Sequence, residues 1–145
     1  EVEAVAELRD WNKNRAPQPG VTFSSSTGFK LPNGATRSPD ASWLSMEKWR
    51  ALSEEQRERF APVCPDFLIE IRSRTDILRE LKEKMTEWID NGARLAWLID
   101  PIDRQAYLYR ADGSIQIVKD FNAKLSGEDV LPGFKLDLTV FELPE

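Results

Sequence analysis

The side chains able to do chemistry in this 145-residue chain are few in kind, because it has no histidine and a single cysteine, Cys64. Serine–histidine and cysteine–histidine catalysis are excluded within the chain, as is any histidine-ligated or four-cysteine metal site. Carboxylates, lysines, arginines and hydroxyls remain, and carboxylates favour hard cations such as Mg²⁺ or Mn²⁺. One carboxylate is conspicuous. Glu70 lies inside CPDFLIEIRS, Cys64 to Ser73, a run that otherwise reads as a core strand. A lone buried charge is costly, so Glu70 either faces solvent from a half-exposed strand or has a cation to hold.

Alternation along a strand puts Leu68, Glu70 and Arg72 on one face and Phe67, Ile69 and Ile71 on the other. Taken alone, that pattern fits a solvent-facing glutamate. A metal needs a second ligand. Asp66 shares the face but lies four residues away, about 13 Å along the strand and too far to share one ion. Asp40 begins a different strand, and adjacent strands lie only about 4.8 Å apart. If those strands are neighbours, Asp40 and Glu70 reach the same cation. A positive partner comes from the helix that follows, where Ile77, Leu81, Met85, Trp88 and Ile89 form an apolar stripe. Lys82 and Lys84 sit at its two margins, each able to snorkel, and periodicity does not choose between them.

The elements that must position these groups follow from breakers and periodicity. A short amphipathic helix runs from Glu1 to about Asn12, and RAPQPG ends it. Val21 to Lys30 reads as a strand, LPNGATRSPD as a turn with Asn33-Gly34 at its tip, and a further strand starts at Asp40. MEKWRALSEEQRERF fits one or two short helices, with Ser53 as an N-cap. The long helix is expected from about Asp76 to Asn91, capped by Thr75 or Asp76 and stopped at Asn91-Gly92. ARLAWLID, RQAYLYR and SIQIVKD are strands, the last two joined as a hairpin through ADG. The tail is turn-rich, with a short terminal strand or helix. Helix, strands, helix, strands implies an α/β or α+β domain, residues 1–145, built on one mixed sheet.

Composition sets the outer limits. A formal charge of −5 with 41% hydrophobic residues is ordinary for one soluble domain. No apolar run approaches a membrane span. A reducing cytoplasmic setting is expected from the lone cysteine, and the chain, starting at Glu1, reads as an incomplete N-terminus. The acidic balance argues against nonspecific nucleic-acid binding, although Thr22 to Arg50 carries Lys30, Arg37, Lys48 and Arg50 against Asp40 and Glu47. Five tryptophans could stack on bases, but Trp88 and Trp97 lie on apolar patterns.

RSPDASW, PDFLIEIRS, LKEKMTEWIDNGARLAWLIDP and EDVLPGF, in that order, resemble the Uma-two (Uma2) family of bacterial proteins over about Val21 to Phe141. That family belongs to the PD-(D/E)XK nuclease-like superfamily. The resemblance implies a restriction endonuclease-like mixed sheet flanked by helices, with Asp40 and Glu70 as metal ligands. The superfamily lysine stands two residues after the second acid, where this chain has Arg72. The family's relocated pattern, a lysine before an aromatic on the next helix, is matched by Lys84 and Trp88. A further acid on the first helix corresponds to Glu3, with Glu1 and Glu7 as alternatives, and would act through a metal-bound water. The implied activity is Mg²⁺- or Mn²⁺-dependent endonucleolytic hydrolysis of DNA, with RNA or another phosphodiester open to the same acids. The alternative is a non-catalytic binding or regulatory module on the same fold, a homodimer.

Overall fold

The computed structural model describes residues 1–144. Helix α1 (Val2–Lys13) is followed by strands β1 (Gly20–Ser24), β2 (Phe29–Lys30), β3 (Thr36–Arg37) and β4 (Ala41–Ser45). Two short helices, α2 (Met46–Ala51) and α3 (Glu54–Arg57), lead to β5 (Phe67–Ile71) and the long helix α4 (Leu78–Asp90). Strands β6 (Leu95–Asp100), β7 (Gln105–Arg110) and β8 (Ile115–Val118) complete the main sheet. A small hairpin of β9 (Lys124–Ser126) and β10 (Lys135–Asp137) and a 3-10 turn at Leu138–Phe141 close the chain.

The main sheet has the order β1-β4-β5-β6-β7-β8, antiparallel except for the central β5–β6 pair. Parallel neighbours need a crossover, and α4 is that crossover. It packs on one face with Leu68, Ala96, Leu98 and Tyr107, using Met85 and Trp88. On the other face α1, through Ala4, Val5 and Leu8, joins Phe67, Ile69, Trp97 and residues of the C-terminal hairpin. Both faces of β5 are therefore covered, as central strands next to a crossover require. The half-exposed strand that alternation allows does not exist here.

Local chemistry explains the element ends. Gly92, at φ +118°, takes the left-handed position after α4. Gly92 N–H donates to Ile89 O at 3.1 Å and Ala93 N–H to Trp88 O at 3.0 Å, which completes a Schellman stop. The start of α4 differs from expectation. Asp76 turns its carboxylate back to Ser73, accepting from its N–H at 2.8 Å and its hydroxyl at 2.9 Å. Ile77 is left at the N-cap without a side-chain hydrogen bond, and it is 55% exposed rather than part of the apolar stripe. The strand expected over Val21 to Lys30 is split in two. Between its halves Thr27 N–H donates to Ser24 O, and Ser38 Oγ donates to Ser25 O at 2.5 Å and Thr27 O at 2.7 Å. Hydroxyls that bind nearby backbone in this way compete with a continuous ladder. Ser53 caps α3 in a capping box with Gln56. Among the described residues no helix is long and apolar enough to cross a membrane.

Candidate active site

The β4–β5 ladder sets Ala41 opposite Ile69 and Trp43 opposite Phe67. One step beyond, Asp40 comes opposite Glu70, and the ladder is continued by side chains. Asp40 N–H donates to Glu70 Oε1 at 3.1 Å, while Ile71 N–H donates to Asp40 Oδ2 at 2.7 Å. Each carboxylate thus spends one oxygen on a backbone amide beside the other, and the pair is fixed by the sheet rather than by flexible rotamers.

Glu70 is only 4% exposed. Its second oxygen, Oε2, is buried with no hydrogen-bond partner among the described residues. Lys84 Nζ approaches it at 3.4 Å, an ion pair rather than a well-directed hydrogen bond. Burial pushes the Glu70 carboxyl above the usual range; Lys84 opposes the rise and the charge of Asp40 adds to it. Burial also raises Asp40, with the Ile71 amide acting against it and the nearby Glu1 carboxylate with it.

Lys84 and Lys82 part company in three dimensions. Lys84 enters the cleft, whereas Lys82 Nζ lies 4.6 Å from the centre of the Tyr107 ring, a cation–π contact. The cleft, about 360 Å³, is lined by Asp40, Glu70 and Lys84 together with Ser38, Ser73, Asp76 and Glu1 among others. Glu1 faces it and accepts a hydrogen bond from Ser25 Oγ. Glu3 is exposed, 4.0 Å from the terminal ammonium, and neither Glu3 nor Glu7 lines the cleft.

Arg72 occupies the place of the superfamily lysine, but its guanidinium turns away to Asp100 at 2.9 Å and Asp103 at 3.2 Å. Asp100 is fully buried, and its other oxygen accepts from Ile102 and Asp103 N–H. That pairing escapes sequence reasoning; its only signal is an acid ending the apolar run LAWLID. A second hollow of about 670 Å³ adjoins the cleft through Ser38 and Lys84, edged by Arg37 and by Glu80, Glu83 and Glu87 of α4.

Among the described residues no group of three or more acids, cysteines or histidines gathers as a metal cage. Two hard carboxylates with an unsatisfied oxygen do fit Mg²⁺, which binds one or two carboxylates and fills its shell with water and substrate phosphate.

Comparison with known proteins bears on the family and the fold. The model of a family described as "Putative restriction endonuclease", Uma2, matches residues 1–139. A crystal structure described as "a putative nuclease belonging to DUF820", from Anabaena variabilis, superposes with a TM-score of 0.77 at 19% identity, covering 97% of this chain and 76% of its own. A cryo-electron-microscopy structure of a DrdV–DNA complex covers 77% of this chain and 9% of that one, at 16% identity and a TM-score of 0.45, too low to indicate a common fold. No curated protein matches the sequence.

Proposed function

We propose, from the premise that this chain belongs to the Uma2 family, that it is a Mg²⁺- or Mn²⁺-dependent nuclease hydrolysing phosphodiester bonds in DNA. The observation that carries this reading is the buried Oε2 of Glu70, which has no well-directed hydrogen bond, lies beside Asp40 and is paired with Lys84 at 3.4 Å. A single half-exposed lysine only partly offsets two buried carboxylates side by side, and a metal ion arriving with its substrate adds the missing charge. Asp40 and Glu70 would hold the metal, whose chemistry is to polarise a phosphate oxygen and to lower the pKa of a bound water. Lys84 orients the attacking water and offsets charge that develops on the phosphorane. The backbone amides of Asp40 and Ile71 keep both carboxylates aimed while this happens. Glu1, at the rim of the cleft, is better placed than Glu3 to hold a water. Incubating the full chain with supercoiled plasmid and Mg²⁺ or Mn²⁺ gives nicked product, and Asp40→Ala abolishes it; equal nicking by the two proteins rejects the assignment.

A second reading, a non-catalytic module that works as a dimer, is favoured by one feature. Glu80 and Glu83 edge the hollow beside Lys84 and repel a phosphate backbone there, while Glu87 is paired with Arg37. Calorimetric titration separates the readings. A Mn²⁺ site lost in Glu70→Ala supports the nuclease, and no binding at millimolar metal supports the module.

A further inference from the structure

On the far side of Ser38 lies a groove of about 460 Å³ formed by Ser26, Thr27 and Gly28 with Arg57, Glu58, Arg59 and Phe60. Phe60 is 62% exposed, among the most exposed of the large apolar side chains. One edge of its ring nonetheless rests on backbone. It lies directly against the Gly28 backbone, where an added Cβ would come within 2.8 Å of the ring. The next residue, Ala61, is anchored to β2 by the Lys30 N–H bond to its carbonyl at 2.9 Å. Arg57 is equally well positioned: its guanidinium stacks 4.5 Å from the Trp49 ring centre, and Nε and Nη2 both donate to Trp49 O. Its Nη1 has no partner among the described residues. Arg59 is exposed beside it, and the two arginines outnumber Glu58.

This groove lies beside the candidate active site, with the Ser38–Thr27 contact between the two. Thr27 lines the groove, Ser38 lines the cleft, and Ser38 Oγ donates to Thr27 O at 2.7 Å. From Arg37, whose carbonyl borders Gly28, three residues of chain lead to Asp40, a span of at most ~10 Å. On its other side the cleft adjoins the hollow edged by Glu80, Glu83 and Glu87, of which Glu87 is paired with Arg37 at 2.7 Å. A polyanion leaving the cleft meets Glu80 and Glu83 one way, and Arg57 and Arg59 with an open aromatic ring the other.

We propose that Phe60, flanked by Arg57 and Arg59, is a stacking platform for an unpaired base of the DNA strand whose phosphate lies at Asp40 and Glu70. The inference rests on the nuclease reading and narrows it: the substrate has single-stranded character next to the bond that is cut. Base pairs inside a duplex offer no free face to a lone ring, whereas every unpaired base has one.

The test is fluorescence anisotropy of a labelled oligothymidylate and of a blunt duplex, with the full chain in EDTA. The wild type binds the single strand more tightly than the duplex. Phe60→Ala weakens single-strand binding about 5- to 150-fold, the equivalent of the ~1–3 kcal/mol of one base–aromatic stack. Phe60→Trp retains it, and Phe60→Leu, apolar without a π face, does not. Unchanged affinity in Phe60→Ala or Phe60→Leu overturns the platform, as does a wild type that binds no oligonucleotide. So does a loss in Phe60→Ala that coincides with a changed sedimentation coefficient, which makes Phe60 a contact between copies. Oligonucleotide binding through Phe60 without Mg²⁺-dependent nicking overturns the nuclease and keeps the platform. Nicking with an indifferent Phe60 does the reverse.

Discussion

The two ends of β5 carry buried acids four residues apart, and they are treated in opposite ways. Asp66, 2% exposed, has both oxygens occupied. Oδ2 accepts from Ser45 N–H at 2.7 Å, and Oδ1 lies 3.2 Å from Lys48 Nζ and 3.9 Å from Arg94 Nη1. Its backbone carbonyl also accepts from Arg94 and Leu95 N–H. Glu70, 4% exposed, has one amide on Oε1 and only a loosely directed lysine at Oε2. Asp66 ties β4, β5 and the start of β6 together. Glu70 ties strands with one oxygen and turns the other, with Lys84 as its one cation against two at Asp66, to the cleft. Burial alone does not mark a functional acid; burial with unused valence does.

Substitutions at the two ends sharpen this contrast. The largest effect is expected from Glu70→Gln, which lowers Mg²⁺-dependent nicking by about 1000-fold or more, equivalent to ~4 kcal/mol of barrier, while thermal denaturation shows an unchanged or higher melting temperature. Asp66→Asn does the opposite. It costs about 2 kcal/mol in a denaturant titration because Lys48 and Arg94 lose their anion, and nicking per folded molecule is unchanged. A variant pair in which Glu70→Gln unfolds and Asp66→Asn is silent breaks the comparison.

The response to pH follows from the raised carboxyls. In the unfolded chain Glu70 loses its proton near its ordinary value of 4.5, whereas in the folded chain it keeps it to higher pH. Between those points unfolding releases a proton, so the wild type loses stability as pH rises through that window. Asp40 adds the same trend from 3.8 upward. Glu70→Gln lacks the Glu70 part, so its stability advantage over the wild type widens from about pH 4.5 and then levels. Mn²⁺ affinity, which needs the carboxylates ionised, rises over the same range; denaturation and calorimetry at stepped pH check both signs. The smallest effect belongs to Lys82→Ala, which removes the Tyr107 contact at a cost of about 0.5–1 kcal/mol and leaves nicking intact, while Lys84→Ala reduces nicking.

Much of the candidate site was legible in the sequence. Asp40, Glu70 and Lys84 are named by the family resemblance, and the structure brings their side chains to one cleft. Glu3, named in the same way, stands outside its lining. Less legible were the features that depend on a neighbour's side chain. Asp76 spends its carboxylate on Ser73 instead of capping α4. Arg72 is drawn off to Asp100. Phe60 looks in sequence like one more apolar residue near Pro62, yet it is open to solvent.

By itself the amino-acid sequence determined which chemistry was available: without histidine, and with one cysteine, mainly carboxylates, lysines, arginines and hydroxyls were left to build a catalytic site. It also determined the order of helices and strands, since periodicity and breakers are local properties. The tertiary structure alone decided that Asp40 lies opposite Glu70, that Lys82 is spent on Tyr107, and that Glu70 is buried. Strand register and helix docking are set by contacts between residues far apart in the chain. A side chain's period fixes only the face it occupies, and what covers that face is contributed from elsewhere.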